Sequence, residues 1–140
     1  MKHWTKGNNV FVVLDKGEKI IESLIALAEE KNIKSATFTG IGAADRITLG
    51  YFDVEACDYE RKEFPFSMEL GTLIGNIAQL DGKPFVHAHA TICGPDFSAY
   101  TGHLFEGTIS VTGEIVITKH PVEMQRSLDE NIGLNLIKLK

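Results

Sequence analysis

Residues 84–93, Pro84-Phe85-Val86-His87-Ala88-His89-Ala90-Thr91-Ile92-Cys93, alternate with period two. Read as a strand, they place Val86, Ala88, Ala90 and Ile92 on one face, all apolar and mostly small. Phe85, His87, His89, Thr91 and Cys93 fall on the other. The first set suits a core. The histidines therefore point elsewhere: into a cleft, a subunit interface or water. His87 and His89 leave the same face about 7 Å apart along the chain. His103, within Thr101-Gly102-His103-Leu104, returns after a loop containing Gly94, Pro95 and Asp96. A neighbouring strand at that distance brings a third imidazole to the pair.

Outward from this strand the chain reads as β with one helix. Asn9 to Leu14 is a short β-rich apolar run and the expected first strand. Asp15-Lys16-Gly17-Glu18 resembles a capping box, Asp15 accepting from the first helical turn while Glu18 reaches back. The helix it opens carries Ile20, Ile21, Leu24, Ile25, Leu27 and Ala28 as one stripe, with Lys31-Asn32 ending it. Strands are expected over Ser35 to Phe38, Arg46 to Asp53, Cys57 to Phe66 and Met68 to Ile77. Gly40 and Gly42 mark a bulge or tight turn between the first two. Asp81-Gly82 is the strongest hairpin signal. Thr108 to Lys119 alternates cleanly, Ile109, Val111, Ile115 and Ile117 sharing a face. Met124 to Asn131 reads as a surface loop and Leu134 to Leu139 as a last strand. The expected fold is a single α+β domain over residues 1–140. It has a largely antiparallel sheet of about seven to eight strands and one helix near the N-terminus.

Composition narrows the functional classes. The chain has 140 residues, 44% hydrophobic and 24% charged, with a net charge of −5. That is an ordinary globular balance with enough length for a hydrophobic core. No apolar run approaches the roughly 20 residues that span a bilayer. No secretory h-region with a small-residue cleavage site opens the chain, and the two cysteines, Cys57 and Cys93, form no disulfide framework. A cytoplasmic location is expected, without a membrane partner. The basic residues are scattered and no Arg-rich arm exists, which argues against the phosphate contacts that dominate duplex DNA affinity.

His87, His89 and His103 are the strongest chemical signal. Neutral imidazole ligates zinc and suits iron, nickel and copper as well. Three histidines with an open fourth position form a catalytic-type zinc site. A divalent metal, zinc first, is therefore expected on these three residues. Cys93 shares their parity but lies roughly 13 Å along an extended strand from His89, and reads as an ordinary buried cysteine. Glu114, on the polar face of its strand, and Asp96, in the loop between the histidines, are candidates for acid–base work. Glu69 sits between Met68 and Leu70 with no evident partner. Ser98, Tyr100 and Thr101 line the loop that joins the histidines; His3, Trp4 and His120 read as structural or surface residues. No Ser/His/Asp order, phosphate-binding loop or Cys-x-x-C pair appears, and Gly40-Ile41-Gly42 lacks the third glycine and helix of a dinucleotide site.

Four segments in order carry a resemblance: Thr39-Gly40-Ile41-Gly42-Ala43, Glu69-Leu70-Gly71-Thr72-Leu73-Ile74-Gly75, His87-Ala88-His89-Ala90, and Thr101-Gly102-His103-Leu104 followed by Thr112-Gly113-Glu114. Together they resemble the plants and prokaryotes conserved (PPC) domain, from the Gly17-Glu18 helix start to about Lys119. The resemblance implies an antiparallel sheet with a packed helix, a homotrimer, and a metal-like site on the three histidines. It also implies a DNA-binding or regulatory role. In plants the domain follows AT-hook motifs. This chain has no Arg-Gly-Arg-Pro core, and keeps only a glutamate and its aliphatic neighbour, Glu69-Leu70, of the plant Gly-Arg-Phe-Glu-Ile-Leu-like segment. The expected function is thus that of a stand-alone prokaryotic-type member: homotrimeric, metal-binding, with DNA as a partner implied by family. The alternatives are a metal-dependent enzyme of hydrolase or lyase type, Glu114 or Asp96 handling the proton, and a trimeric interaction scaffold.

Overall fold

The computed structural model describes residues 1–139. The chain runs through β1 (Lys2–Lys6), β2 (Asn9–Asp15), α1 (Ile20–Glu30), β3 (Ala36–Asp53), β4 (Asp58–Phe64), β5 (Met68–Leu80), β6 (Lys83–Cys93), β7 (Ala99–Lys119), β8 (Met124–Asp129) and β9 (Leu134–Leu139). The α+β class and the single helix near the N-terminus are as expected; the sheet has nine strands. Pairing is antiparallel except for one parallel contact between β5 and β8 at Gln79 and Gln125. No helix among the described residues is long and apolar enough to cross a membrane.

Two long strands organise the sheet. β3 has 18 residues and β7 has 21, so each serves different neighbours along its length. β3 pairs with β5, β5 with β6, and β6 with the first part of β7, which in turn pairs with the second half of β3. Four strands thereby close a circuit, and β6 has a partner on both sides.

The helix decides which face of β6 is dry. Ile20, Leu24, Leu27 and Ala28 are buried on α1, which packs against β6 and β7. Val86, Ala88, Ala90 and Ile92 are buried on the facing side of β6. The two alanines leave room for the helix to approach, and each fully buried leucine contributes about 1.5–3 kcal/mol. Ile21 and Ile25 pack at the margin of this core.

Several local expectations are corrected. The helix begins at Ile20 with Lys19 as an N-cap that makes no side-chain capping bond. The Asp15–Glu18 contact is present, but as a turn ahead of the helix: Glu18 Oε2 accepts from the Asp15 N–H at 2.7 Å. The segments read as Ser35–Phe38 and Arg46–Asp53 are one strand, β3, with its register shifted by a bulge between Gly40 and Gly42. β1 was not anticipated; its polar residues suit an edge strand, held by pairing with β2 and by Trp4 stacked on Phe11 at 5.0 Å. The expected face of β7 breaks at Val111, which is 67% exposed. There β7 carries extra residues between the partners of Gly42 and Ala44, so the strand bulges and Val111 leaves the core face. Residues 124–131 are not a loop: Met124–Asp129 is β8, paired with β9. Asp81 and Gly82, with φ of 50° and 76°, make the expected two-residue hairpin turn between β5 and β6.

One glycine holds the sheet together at close quarters. Gly75 lies opposite Ala88 and beside Phe38, and a Cβ there would strike the His87 carbonyl oxygen and the Phe38 ring. Gly75→Ala is expected to destabilise the fold by about 1–3 kcal/mol through overpacking, measured by chemical or thermal denaturation.

Candidate metal centre

With the helix covering one face of β6, His87 and His89 emerge on the other. His89 stands directly opposite His103 across the β6–β7 ladder. His103 is also paired with Gly50 of β3, so its backbone is held from both sides. The three rings meet: centroids are 5.3 Å apart for His87–His89, 5.0 Å for His87–His103 and 5.6 Å for His89–His103. One nitrogen from each ring lies within 4.8 Å of the other two; His87 and His103 are half-buried and His89 is exposed. Among the described residues this is the one group of three or more His, Cys, Asp or Glu so disposed.

These residues fit a divalent ion. Ligand nitrogens around a tetrahedral zinc sit roughly 3.3 Å apart, which small side-chain rotations reach from the observed spacing. Burial, with the Arg126 guanidinium and His89 adding to it, holds the His87 imidazole down to about 4. Burial, together with His87, His89, Arg126 and Arg61, holds His103 down to about 4 as well. Both rings are therefore neutral at pH 7, the form that donates a lone pair to a metal. Nδ1 of His103 is buried and has no hydrogen-bond partner. An unsatisfied buried polar atom is costly, and ligation to a cation is one way to satisfy it.

The surroundings are aromatic and cationic. Tyr59 and Phe105 pack on His103, with ring centroids at 5.0 and 4.7 Å. The Arg61 guanidinium stacks on Phe105 at 3.9 Å. Burial raises the Tyr59 phenol, so it is protonated at neutral pH. Arg126, from β8, donates through Nη2 to Asn76 Oδ1 at 2.9 Å and contacts His87 Nδ1 at 3.1 Å; through Nη1 it donates to the Asn135 carbonyl at 2.7 Å. An arginine only donates, so His87 Nδ1 accepts and the ring proton sits on Nε2.

The acid–base candidates lie elsewhere in the chain. Asp96 is exposed in the β6–β7 loop, where it accepts from the Ser98 N–H at 3.1 Å; that bond keeps its carboxyl below the usual range. Glu114 is exposed and paired with Ile41 and Val13, so β3 and β5 separate it from the histidines of β6. Glu69 is exposed between buried neighbours. Cys93 is half-buried opposite Glu69 and Ala99. Tyr100 pairs with Ile92, and Thr101 accepts a hydrogen bond from Thr91 at 3.1 Å. His120 is not isolated: its Nε2 lies 2.9 Å from Thr37 Oγ1, and His3 Nε2 lies 3.5 Å from Glu30. Arg126 and Tyr59 are site residues that sequence reasoning missed. For Arg126, the available signal was the pairing of 124–129 with the last strand across Asn131-Ile132-Gly133.

A family model for the Plants and Prokaryotes Conserved (PCC) domain matches residues 1–121. Solved structures of the same shape include a metal-containing protein from Archaeoglobus fulgidus, 32% identical with a TM-score of 0.87, covering 94% of each chain. A protein from Bacteroides thetaiotaomicron, described as a "putative DNA binding protein", is 31% identical with a TM-score of 0.94 over 98% of this chain and 96% of its own. A plant- and prokaryote-conserved protein from Pyrococcus horikoshii is 29% identical with a TM-score of 0.88, covering 94% of this chain and 92% of its own. Among curated proteins no match was found. With the family model spanning most of its length and the fold shared with these relatives, the chain belongs to the plants and prokaryotes conserved domain family.

Proposed function

We propose that this protein is a homotrimer carrying one divalent ion per chain, zinc by preference, on His87, His89 and His103. The convergence of three imidazoles from β6 and β7, one with a partnerless buried nitrogen, carries this reading. The Archaeoglobus relative, described as metal-containing, supports it. A three-histidine zinc leaves its fourth position open and acts there as a Lewis acid. His103 and His89 are oriented by the ladder itself, and Tyr59 and Phe105 keep water from one side of the cluster.

The trimer is the assembly that the family resemblance implies, and the outer sheet face supports burial against further copies. Trp4, Phe11, Val116, Thr39, Ile74 and His89 fall in one row across β1, β2, β7, β3, β5 and β6. Trp4 and Ile41 are each 57% exposed and Ile74 is 53% exposed. An open groove of about 510 Å³ runs between Trp4, Phe11, Ile41 and Val116. Contiguous apolar surface of this kind marks an interaction site in a soluble protein. Ile74 adjoins His89, so an interface on this face borders the metal site. A head-to-tail contact that closes on itself makes a ring.

DNA binding is a second reading, supported by the description of the Bacteroides relative. The net charge of −5 weighs against it.

Three measurements test these readings. Elemental analysis of the purified protein should find about one metal per chain and little in His87→Ala; equal, near-zero content in both removes the metal site. Ile41→Glu should convert a trimer to monomers in light scattering behind size exclusion, because a charge is then buried against an apolar partner; a wild-type monomer overturns the assembly. Duplex DNA should show no mobility shift at about 50 mM salt, whereas retardation that fades steeply with added salt would establish the second reading.

A further inference from the structure

The charge around the three histidines is one-sided. Neither Arg61 nor Arg126 has a carboxylate within 4.0 Å among the described residues. The charged groups that face His87 and His103 are histidines and arginines. Metal-ligating histidines usually hand their second nitrogen to a carboxylate or carbonyl; His103 Nδ1 has no partner and His87 Nδ1 faces a guanidinium. Adding a divalent ion to such a site concentrates positive charge that this chain's described side chains do not offset.

The Arg126–His87 contact has a second consequence. A neutral imidazole that ligates through Nε2 must carry its proton on Nδ1, where it meets a guanidinium that cannot accept it. One that ligates through Nδ1 gives the metal the same lone pair Arg126 now uses. In either case metal capture and the 3.1 Å contact exclude each other. Arg126 then has an Nη2 hydrogen without an acceptor, next to an Nε that is buried and already without one. Nε–H and Nη2–H form one edge of the guanidinium, the fork that takes an oxyanion through two parallel hydrogen bonds. Asn135 holds Nη1, Asn76 holds the other hydrogen of Nη2, and the Phe85 ring lies 5.0 Å from Cζ. The group is thus kept at the site when His87 releases it.

We infer that the loaded centre binds an oxyanion, a carboxylate or a phosphate-type group, between the open metal position and the Arg126 guanidinium. This rests on the metal reading above. Arg126 is then the residue that selects for anions, and metal uptake is what frees it to do so. An open groove of about 430 Å³ beside the histidines, lined by Phe38, Thr39, Ile74 and Asn76 among others, gives the body of such a ligand an apolar bed.

Cobalt(II) replaces zinc in the test, because its visible spectrum reports changes at the open coordination position. The cobalt-loaded full chain is titrated with propionate, with methylphosphonate, and with chloride as a control. Wild type should respond saturably to at least one oxyanion, and the tighter of the two names the class. Arg126→Gln and Arg126→Lys should keep full cobalt content while binding that oxyanion about tenfold or more weakly, the loss expected for a charge-assisted fork. Thermal denaturation checks that both variants are folded. If cobalt binds but neither oxyanion changes the spectrum, or if both variants titrate like wild type, the oxyanion site is wrong while the metal centre stands. If wild type takes up no cobalt, the metal centre fails and this inference with it.

Discussion

β6 is caught between two demands, and the rest of the molecule follows from how it meets them. The helix requires a flat, small, apolar surface, which Val86, Ala88, Ala90 and Ile92 supply. A strand has only two faces, so every residue between them is turned away from the core. Placing histidines at those positions costs the core nothing and brings them to one side of the sheet. A register slip of one residue would bury both histidines under α1 and expose the apolar set. Pairing on both edges of β6, to β5 and to the start of β7, resists that slip.

Site electrostatics follow from the same placement. Pairing His89 with His103 and setting His87 alongside puts three imidazoles at van der Waals range with aromatic rings around them. Desolvation then works against protonation, and the neighbouring guanidiniums push in the same direction. The cluster is a lone-pair donor set with positive charge at its rim. An anion accompanying a bound cation would meet that charge at Arg126, which contacts His87.

Much of this was legible in residues 84–104. Period two on β6 identified the core face, and the return of His103 identified a partner strand; both hold in the structure. The helix stripe, the Asp81-Gly82 hairpin and the break at Gly40–Gly42 were equally plain, because each rests on a local backbone or periodicity rule. The failures are also physical. β1 and β8 are polar edge or hairpin strands whose pairing is decided by their neighbours, so they lack an apolar alternation to read. Val111 leaves the pattern of β7 because the strand carries two extra residues between Ile109 and Gly113, while Ile109, Ile115 and Ile117 keep the expected buried face. The shift is set by pairing with β3, which no local pattern announces.

The sequence by itself determined the class of fold, the direction of the histidines and the ligand set that they offer, since these depend on side-chain period and chemistry within short stretches. Tertiary structure alone decided what stands around the ligands. Arg126 reaches His87 from 39 positions away, and Tyr59 reaches His103 from a strand paired only with β3. Glu114, on the same strand as His103, was carried off by the length of β7 and the order of the sheet. Contacts between residues distant in the chain are set by which strands become neighbours, and no local pattern encodes that choice.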